Sequence, residues 1–474
     1  MKILLTGANG YIGMRLLPQL LAMGHQVVCA VRDKNRFSID TETRNQLQII
    51  EVDFLKELRP GVFPKDLSAA YYLIHSMSSS TTDFDQQEAR AANHFNTYMA
   101  DTQVKQVIYL SGIVNDKKLS KHLNSRKRVE DILYKGHFKL TVLRAGIIVG
   151  SGSSSFEIIR DLCEKLPLMV TPKWVLTKTQ PIAIRDVIRF LINVLGKAGT
   201  FDQSFDISGP DVLTYKQMLK QYAHTRGFKN YILTVPVMTP KLSSYWLYFV
   251  TATSYKLAVN LVDSMKMEVV ARDNHLQQLL GITTHTYTEA IAMAFKKIEQ
   301  NLVVSSWKDS MVSGRIRDNL KKYIQVPKYG ILTDAKAMKV KNPDRVLQNI
   351  WEIGGQTGWY YGNWLWRIRG FLDKLFGGVG LRRGRTHPDQ LYAGDALDFW
   401  RVLLADKKGK RLLLFAEMRL PGEAWLEFRI DDSNILHQTA TFRPRGLRGR
   451  LYWYCVLPFH YFIFGGMIRN IAKG

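Results

Sequence analysis

The stretch Lys2-Ile-Leu-Leu-Thr-Gly-Ala-Asn-Gly-Tyr-Ile-Gly13 decides the fold of this chain. It opens with an apolar run of strand length, places Gly7, Gly10 and Gly13 directly behind it, and passes into an amphipathic segment beginning at Met14. Three glycines at this spacing let the chain turn tightly, bring backbone N–H groups against a pyrophosphate, and pack the following helix close to the strand. The helix N-terminus adds a favourable dipole for the anion. A glycine loop can also end a strand for structural reasons alone. At the junction of strand and helix, opening a βαβ unit, it predicts a dinucleotide cradle formed by Thr6, Gly7, Gly10, Tyr11, Ile12 and Gly13.

Outward from the loop the pattern repeats. Lys2–Thr6, Gln26–Val31, Leu47–Val52, Ala70–His75, Gln106–Ser111 and Lys139–Val149 read as strands, and Met14–Met23 and Gln86–Thr102 as amphipathic helices between them. Strands separated by such helices predict an α/β, doubly wound fold, a parallel sheet with helices on both faces. Further helices are predicted at Phe156–Glu164, Ile184–Leu195, Tyr215–His224 and Thr288–Gln300. They outline a small substrate lobe that completes a first domain over 1–300. Residues 301–345, mixed and polar with Pro327 and Pro343, are expected to be linker and domain edge, and 346–474 a second domain.

The second strand ends Cys29-Ala-Val-Arg-Asp33. A carboxylate at this tip grips the ribose 2′-hydroxyl of NAD, whereas an arginine suits the 2′-phosphate of NADP. Arg32 comes first, which favours NADP(H) over NAD(H); the competing reading is a solvated turn residue. Asp53, after Ile50-Glu-Val52, stands where a carboxylate reaches an adenine amino group. His75 and Ser76, at the mouth of the fourth strand, are expected to line the cofactor crevice, with packing around the loop as their plainer role.

Composition sets the limits. Of 474 residues, 66 are Lys or Arg and 41 Asp or Glu, a formal charge of +25, and 46% are hydrophobic. That apolar share excludes a disordered chain. Cys29, Cys163 and Cys455 are too scattered for a disulfide framework, and no CxxC pair offers a metal clip, so no metal is expected. The run Ile3–Leu5 is too short for a signal-peptide core, and a cytoplasmic protein is expected. The charge fits a phosphorylated ligand, an anionic membrane surface or nucleic acid. With no helix-turn-helix, zinc or RNA-recognition pattern in the chain, nucleic acid is not expected.

On these residues the chain resembles the atypical and extended short-chain dehydrogenase/reductases, in the branch of the complex I 39-kDa-subunit-like and NmrA-like proteins. The resemblance spans about 1–300. It rests on Thr6-Gly-Ala-Asn-Gly-Tyr-Ile-Gly13, Tyr72-Leu-Ile-His-Ser-Met77, Ile108-Tyr-Leu-Ser-Gly112, Leu143-Arg-Ala-Gly-Ile-Ile-Val-Gly150, Pro181-Ile-Ala-Ile-Arg-Asp-Val187 and Phe205-Asp-Ile-Ser-Gly-Pro210. The family's catalytic members use a serine at the end of the fifth strand and a Tyr-x-x-x-Lys on the next helix, the lysine lowering the tyrosine pKa for proton transfer. Ser111 matches the serine. His122 stands at the tyrosine position and Arg126 at the lysine position, and no Tyr-x-x-x-Lys occurs anywhere in the chain. Two readings stay open. Either His122 is the acid/base, suited by its ordinary pKa near 6.5, with Arg126 orienting the cofactor ribose, or the chain is a non-catalytic NAD(P)H-binding sensor or assembly protein. A satisfied surface histidine is the plain alternative for His122.

The composition shifts toward the C-terminus. Seven of the ten Trp lie at or beyond Trp351, and residues 325–474 hold 24 basic and 13 acidic side chains, a local excess of +11. Phe399–Leu404, Arg411–Met418, Ala424–Ile430 and Ile435–Phe442 read as strands. The segment is similar to an uncharacterised domain fused behind atypical short-chain dehydrogenases, and its element order resembles the START/SRPBCC helix-grip fold. That resemblance implies an α+β domain enclosing an apolar small molecule. The tryptophans are expected chiefly as core, and Arg382, Arg383 and Arg385 as a basic loop. Leu451–Ile468 carries no charge over 18 residues, about 27 Å as a helix, short of a bilayer of about 30 Å. A buried terminal helix is the first expectation, peripheral attachment at the inner face of a membrane the second, and a span the third. The whole predicts an oxidoreductase acting on a quinone-, lipid- or isoprenoid-like substrate, with the sensor as its alternative.

Overall fold

The computed structural model describes residues 1–474 apart from 33, 35–36, 38–42, 44, 58–60, 75–83, 115–120, 236–258, 260–261, 300–330, 356, 377, 381–389 and 474. The chain divides into two compact units, Met1–Trp307 and Lys308–Gly474.

Strands of the first unit are β1 (Lys2–Thr6), β2 (Gln26–Val31), β3 (Gln48–Glu51), β4 (Ala69–Tyr72), β5 (Gln106–Gly112), β6 (Lys139–Ala145), β7 (Ile148–Val149), β8 (Leu168–Pro172), β9 (Lys178–Thr179), β10 (Ile182–Ala183), β11 (Gln203–Ile207), β12 (Leu213–Thr214) and β13 (Tyr231–Val235). The helices are α1 (Gly13–Ala22), α2 (Phe84–Ala100), α3 (Lys121–Leu133), α4 (Ser154–Lys165), α5 (Ile184–Asn193), α6 (Tyr215–Thr225), α7 (Leu276–Leu280) and α8 (Tyr287–Glu299).

Seven strands form one parallel sheet in the order β11-β6-β5-β4-β1-β2-β3. Ile3, Leu4 and Leu5 are fully buried because β1 is covered on both faces. Ile3 and Leu5 meet Leu16, Leu17 and Leu20 of α1 and Val187 and Leu191 of α5. Leu4 faces the opposite layer, with Phe95 of α2 and Val129 of α3. The winding reverses between β1 and β4, and such a reversal opens a crevice at the C-terminal ends of the strands. The α/β doubly wound expectation holds.

The short strands β8, β9, β10, β12 and β13 and the sheet strand β11 lie outside the predicted strands, and one predicted strand is split. The run Lys139–Val149 breaks into β6 and β7 around Gly146, where a side chain would press against the Gln180 carbonyl at 3.0 Å. The outermost strand β11 had no strand signal, since Asp206 interrupts its apolar residues. That carboxylate is tied to Arg272, with Arg272 Nε donating at 2.8 Å. Helices α4, α6 and α8 build the smaller lobe, where Phe156 stacks edge-on to Phe295 and Tyr222 at 5.5 and 6.1 Å.

The second unit contains β14 (Leu332–Lys339), α9 (Pro343–Trp351), α10 (Asn363–Leu375), β15 (Ala396–Leu397), β16 (Trp400–Asp406), β17 (Arg411–Ala416), β18 (Gly422–Ile430), β19 (Ile435–Pro444) and α11 (Gly446–Ala472). Its sheet is antiparallel throughout, in the order β14-β19-β18-β17-β16-β15. β14 lies in the stretch read as linker and domain edge. Its pairing to β19 joins residues about 100 apart, which local pattern does not encode. Trp351, Trp359, Trp366, Phe399 and Trp400 form much of the core. The terminal helix departs from the expectation of full burial. Trp453, Phe464, Met467, Ile468 and Ile471 are inside, while Leu447, Leu451, Tyr454, Tyr461 and Phe462 are exposed. A helix lying on a sheet buries only the stripe turned toward it.

Candidate functional site

The parallel topology carries the C-terminal ends of β1 to β5 to one edge of the sheet, and most of the sequence-predicted residues arrive there. Thr6 closes β1 against β4: its Oγ1 donates to the Tyr71 carbonyl at 2.9 Å and accepts from the Leu73 N–H at 3.1 Å. Gly7 follows with φ +65, in the left-handed region, and a Cβ there would meet the Leu73 carbonyl oxygen at 2.6 Å. A Cβ on Gly13 would meet the Gly7 oxygen at 2.4 Å. Both positions therefore exclude any side chain. The Gly10 N–H returns to the Gly7 carbonyl at 2.9 Å, which closes the turn.

Helix α1 starts at Gly13 behind Ile12, and no side chain caps it. The N–H groups of Met14, Arg15 and Leu16 are taken by the carbonyls of Gly10 and Ile12 at 2.9–3.0 Å, so the amides that face an anion are those ahead of them, at Ile12 and Gly13. Tyr11 is fixed beside it. The Arg15 guanidinium lies over its ring at 3.9 Å and donates to the carbonyls of Tyr11 (2.9 Å) and Ser151 (2.8 Å). Burial pushes the Tyr11 hydroxyl up to about 12, partly offset by Arg15. Tyr11 is thus held in place and keeps its proton.

Arg32 is exposed, one residue beyond β2. Asp53 lies two residues beyond β3, and its Oδ1 accepts from the Leu55 N–H at 3.1 Å in a tight turn. His75 and Ser76 lie outside the described residues, as do Asp33 and the arginine loop 382–385.

Ser111 is the next-to-last residue of β5, and its Oγ is buried with no hydrogen-bond partner among the described residues. An unsatisfied buried hydroxyl costs about 1–3 kcal/mol and calls for a partner. Arg126 of α3 braces the same strand end, donating to the Leu110 carbonyl at 3.4 Å and to Tyr109 Oη at 3.5 Å. Burial works against its charge, yet Tyr109 and Glu88 outweigh it and raise its pKa. Glu88 is anchored in turn by the Ser125 hydroxyl, which donates at 2.6 Å. His122 begins the same helix; its backbone is helical and its side chain lies outside the described residues. Tyr72 and Tyr109 lie buried nearby, and burial raises both hydroxyls.

Sequence reading missed the ionic chain behind the site. Glu130 of α3 accepts from Arg144 Nε at 3.1 Å, Arg144 approaches Asp206 at 3.9 Å, and Asp206 holds Arg272. In the smaller lobe, fully buried Asp186 accepts from the His285 backbone N–H at 2.8 Å and lies 2.9 Å from His285 Nδ1. Each partner is 60 or more residues away except Glu130–Arg144, and no local signal announces such pairs.

Comparison with known proteins agrees with this geometry. Residues 7–163 match a family described as NAD(P)H-binding. Residues 330–467 match a family described as a protein of unknown function, DUF2867. No curated protein matches the chain. Among solved structures, a nucleoside-diphosphate-sugar epimerase from Staphylococcus aureus is 14% identical, covering 61% of this chain and 99% of that one, with a TM-score of 0.48. UDP-glucuronic acid 4-epimerase from Bacillus cereus is 16% identical, covering 63% and 99%, with a TM-score of 0.49. UDP-glucose 4-epimerase from Thermotoga maritima is 14% identical, covering 64% and 100%, with a TM-score of 0.47. The first unit thus carries an NAD(P)H-binding, Rossmann-type domain, and a nicotinamide dinucleotide is its cofactor class. Neither family match names the helix-grip fold for the second unit.

Proposed function

We propose that this chain is an NAD(P)H-dependent oxidoreductase of the atypical short-chain class, acting on a hydrophobic, quinone-, lipid- or isoprenoid-like substrate. The observation that carries the reading is the glycine cradle opening on the same sheet edge where the Ser111 hydroxyl is buried with no hydrogen-bond partner among the described residues. Gly7, Gly10, Tyr11, Ile12 and Gly13 hold the pyrophosphate, Asp53 reaches the adenine, and His75 and Ser76 line the crevice. Exposed Arg32 takes the 2′-phosphate, so NADP(H) is favoured over NAD(H). Bound there, the nicotinamide supplies hydride chemistry. Ser111 donates its hydroxyl to the substrate oxygen, His122 exchanges the proton, and Arg126 holds the end of β5 in place.

The test is binding first. NADPH should raise the melting temperature of the purified protein and show quenched or enhanced fluorescence on mixing; no change in either removes the reading. Turnover of a quinone or enone panel should then fall in Ser111→Ala and His122→Ala while NADPH binding persists.

A second reading, a non-catalytic NAD(P)H sensor or assembly protein, is favoured by Arg126. Its guanidinium bonds to Tyr109 and the Leu110 carbonyl, a structural task, and the Tyr-x-x-x-Lys pair is absent. Turnover that disappears in His122→Ala, with NADPH binding intact, would overturn it.

For the second unit we propose a helix-grip domain that binds an apolar small molecule. The element order supports this: a strand, two helices, five strands and a terminal helix, with the first strand paired to the last.

A further inference from the structure

Helix α10 buries Trp366, Gly370, Asp373 and Lys374, while Trp364, Ile368, Phe371, Leu375 and Phe376 stand out, Trp364 at 61% and Phe376 at 70% exposure. Their spacing of four, three and four residues draws one continuous stripe. Asp373 has internal work: it accepts from the N–H groups of Gly380 at 2.9 Å and Arg419 at 2.6 Å. The burial of charge beneath the helix is therefore satisfied, and its outward apolar face is what remains without a partner.

Helix α11 repeats the arrangement. Leu447, Leu451, Tyr454, Tyr461 and Phe462 are exposed along one side, Tyr461 at 79%. The two helices touch where the Arg369 guanidinium meets Tyr452, at 3.4 Å from its hydroxyl, and where Tyr361, just ahead of α10, meets Phe462 at 5.2 Å between rings. The two exposed stripes thus lie on helices that meet at these two points. An apolar surface of this size is not left to water on a soluble monomer.

The charges around it choose the occupant. Every exposed charge on these two helices is positive: Arg367, Arg448, Arg450 and Arg469, and Lys473 follows. The chain from 446 to 474 contains no Asp or Glu. A two-fold copy would set this surface against itself, cation on cation. An anionic lipid leaflet offers the complementary charge and an apolar layer beneath it, and exposed Trp and Tyr suit the headgroup level.

We propose that α10 and α11 form a monotopic membrane-docking face, lying in the plane of an anionic leaflet. Helix α11 is long and apolar enough to cross a bilayer, but its other side holds it on the sheet. Phe464, Met467, Ile468 and Ile471 are part of the core, Trp453 stacks on Phe442 of β19 at 5.7 Å, and the Asn349 side chain donates to the Ile471 carbonyl at 2.9 Å. Withdrawing the helix to cross a bilayer would open that core. Interfacial helices of this kind bind through their apolar face together with attraction to anionic lipid.

The test uses the full chain and two vesicle types, phosphatidylcholine alone and phosphatidylcholine mixed with phosphatidylglycerol. Wild type should co-sediment with the mixed vesicles, and high salt should weaken the association. Arg448→Glu/Arg450→Glu should cut binding by roughly tenfold or more, and Phe371→Glu/Leu375→Glu should abolish it. All four are exposed, and unchanged circular dichroism and NADPH binding would show the fold intact. Cys455 is exposed while Cys29 and Cys163 are buried, so an environment-sensitive dye on Cys455 should shift to the blue with the mixed vesicles. Failure of wild type to bind them overturns the proposal. So does retained binding in both double variants, or a dimer in sedimentation that Phe371→Glu/Leu375→Glu dissolves while lipid binding is unchanged.

Discussion

Arg401 Nη2 donates to both carboxylate oxygens of Glu417, at 3.0 Å each, and neither side chain has any exposed surface. Arg401 Nη1 also donates to the Gly394 carbonyl at 2.7 Å, so the pair ties β16, the residue that follows β17 and the turn before β15 into one unit. Removing one member of a buried pair leaves a charge in a poor solvent, whereas removing both leaves only a packing change. Arg401→Met should destabilise the second unit by about 3–5 kcal/mol. Arg401→Met/Glu417→Leu should recover most of that loss. Urea unfolding followed by tryptophan fluorescence reads it, because seven of the ten Trp belong to this unit. A double variant as unstable as the single one would contradict the account.

Gly13 leaves no room for a methyl group, since a Cβ there would lie 2.8 Å from Ala8 Cα as well as against the Gly7 oxygen. Gly13→Ala is therefore expected to push α1 away from the loop and to weaken NADPH binding by at least about a hundredfold, an order typical of losing several charge-assisted hydrogen bonds. Gly24→Ala serves as the control for a general glycine effect. That position has open space around it but a positive φ, so it should cost stability and leave nucleotide affinity alone. Fluorescence titration with NADPH distinguishes the two.

Arg32 stands exposed at the tip of β2, and the proposed cofactor preference depends on it. Arg32→Glu should raise the dissociation constant for NADPH by about tenfold or more and that for NADH by much less, since only the former carries the 2′-phosphate. Isothermal titration with both nucleotides checks this. Equal losses would make Arg32 a general electrostatic contributor, and no loss a solvated turn residue.

His460 sits on α11 between Trp453 and Phe464, at 5.0 and 4.8 Å between rings, and burial lowers its pKa to about 4. Asp334 and Lys336 of β14 act on it in opposite directions. An unfolded histidine takes its proton near 6.5, so between that value and about 4 the unfolded chain binds more protons than the folded one. Stability is expected to be full above pH 6.5 and to fall as pH drops through this window. At about 1.4 kcal/mol per unit, the loss approaches ~3 kcal/mol at its acid end. His460→Phe should remove that slope from urea midpoints measured between pH 7 and pH 4.5. A wild-type profile that is flat across the window would show the imidazole to be wet.

The sequence was readable wherever the physics is local. Lys2–Thr6 and Gly7 to Gly13 are neighbours in the chain, and an apolar run passing into spaced glycines has few structural solutions. The amphipathic periods of Ile184–Leu195 and Tyr215–His224 located their helices to within two residues of α5 and α6 for the same reason. Ser111 was legible through resemblance, and the absence of Tyr-x-x-x-Lys through simple inspection. Strand β11 was not, because an edge strand with Asp206 inside it looks polar until Arg272 is brought against it.

By itself, then, the sequence determined the doubly wound sheet, the glycine cradle and the absence of any Tyr-x-x-x-Lys. Tertiary structure decided what those residues touch. Arg126 braces Tyr109, Glu130 and Asp206 meet through Arg144, and Glu417 closes on Arg401, all across distances over which hydrophobic periodicity carries no information. It also decided which way the terminal apolar helix faces. A run without charges fixes how much apolar surface a helix has, but only the sheet it lies on determines how much of that surface is covered.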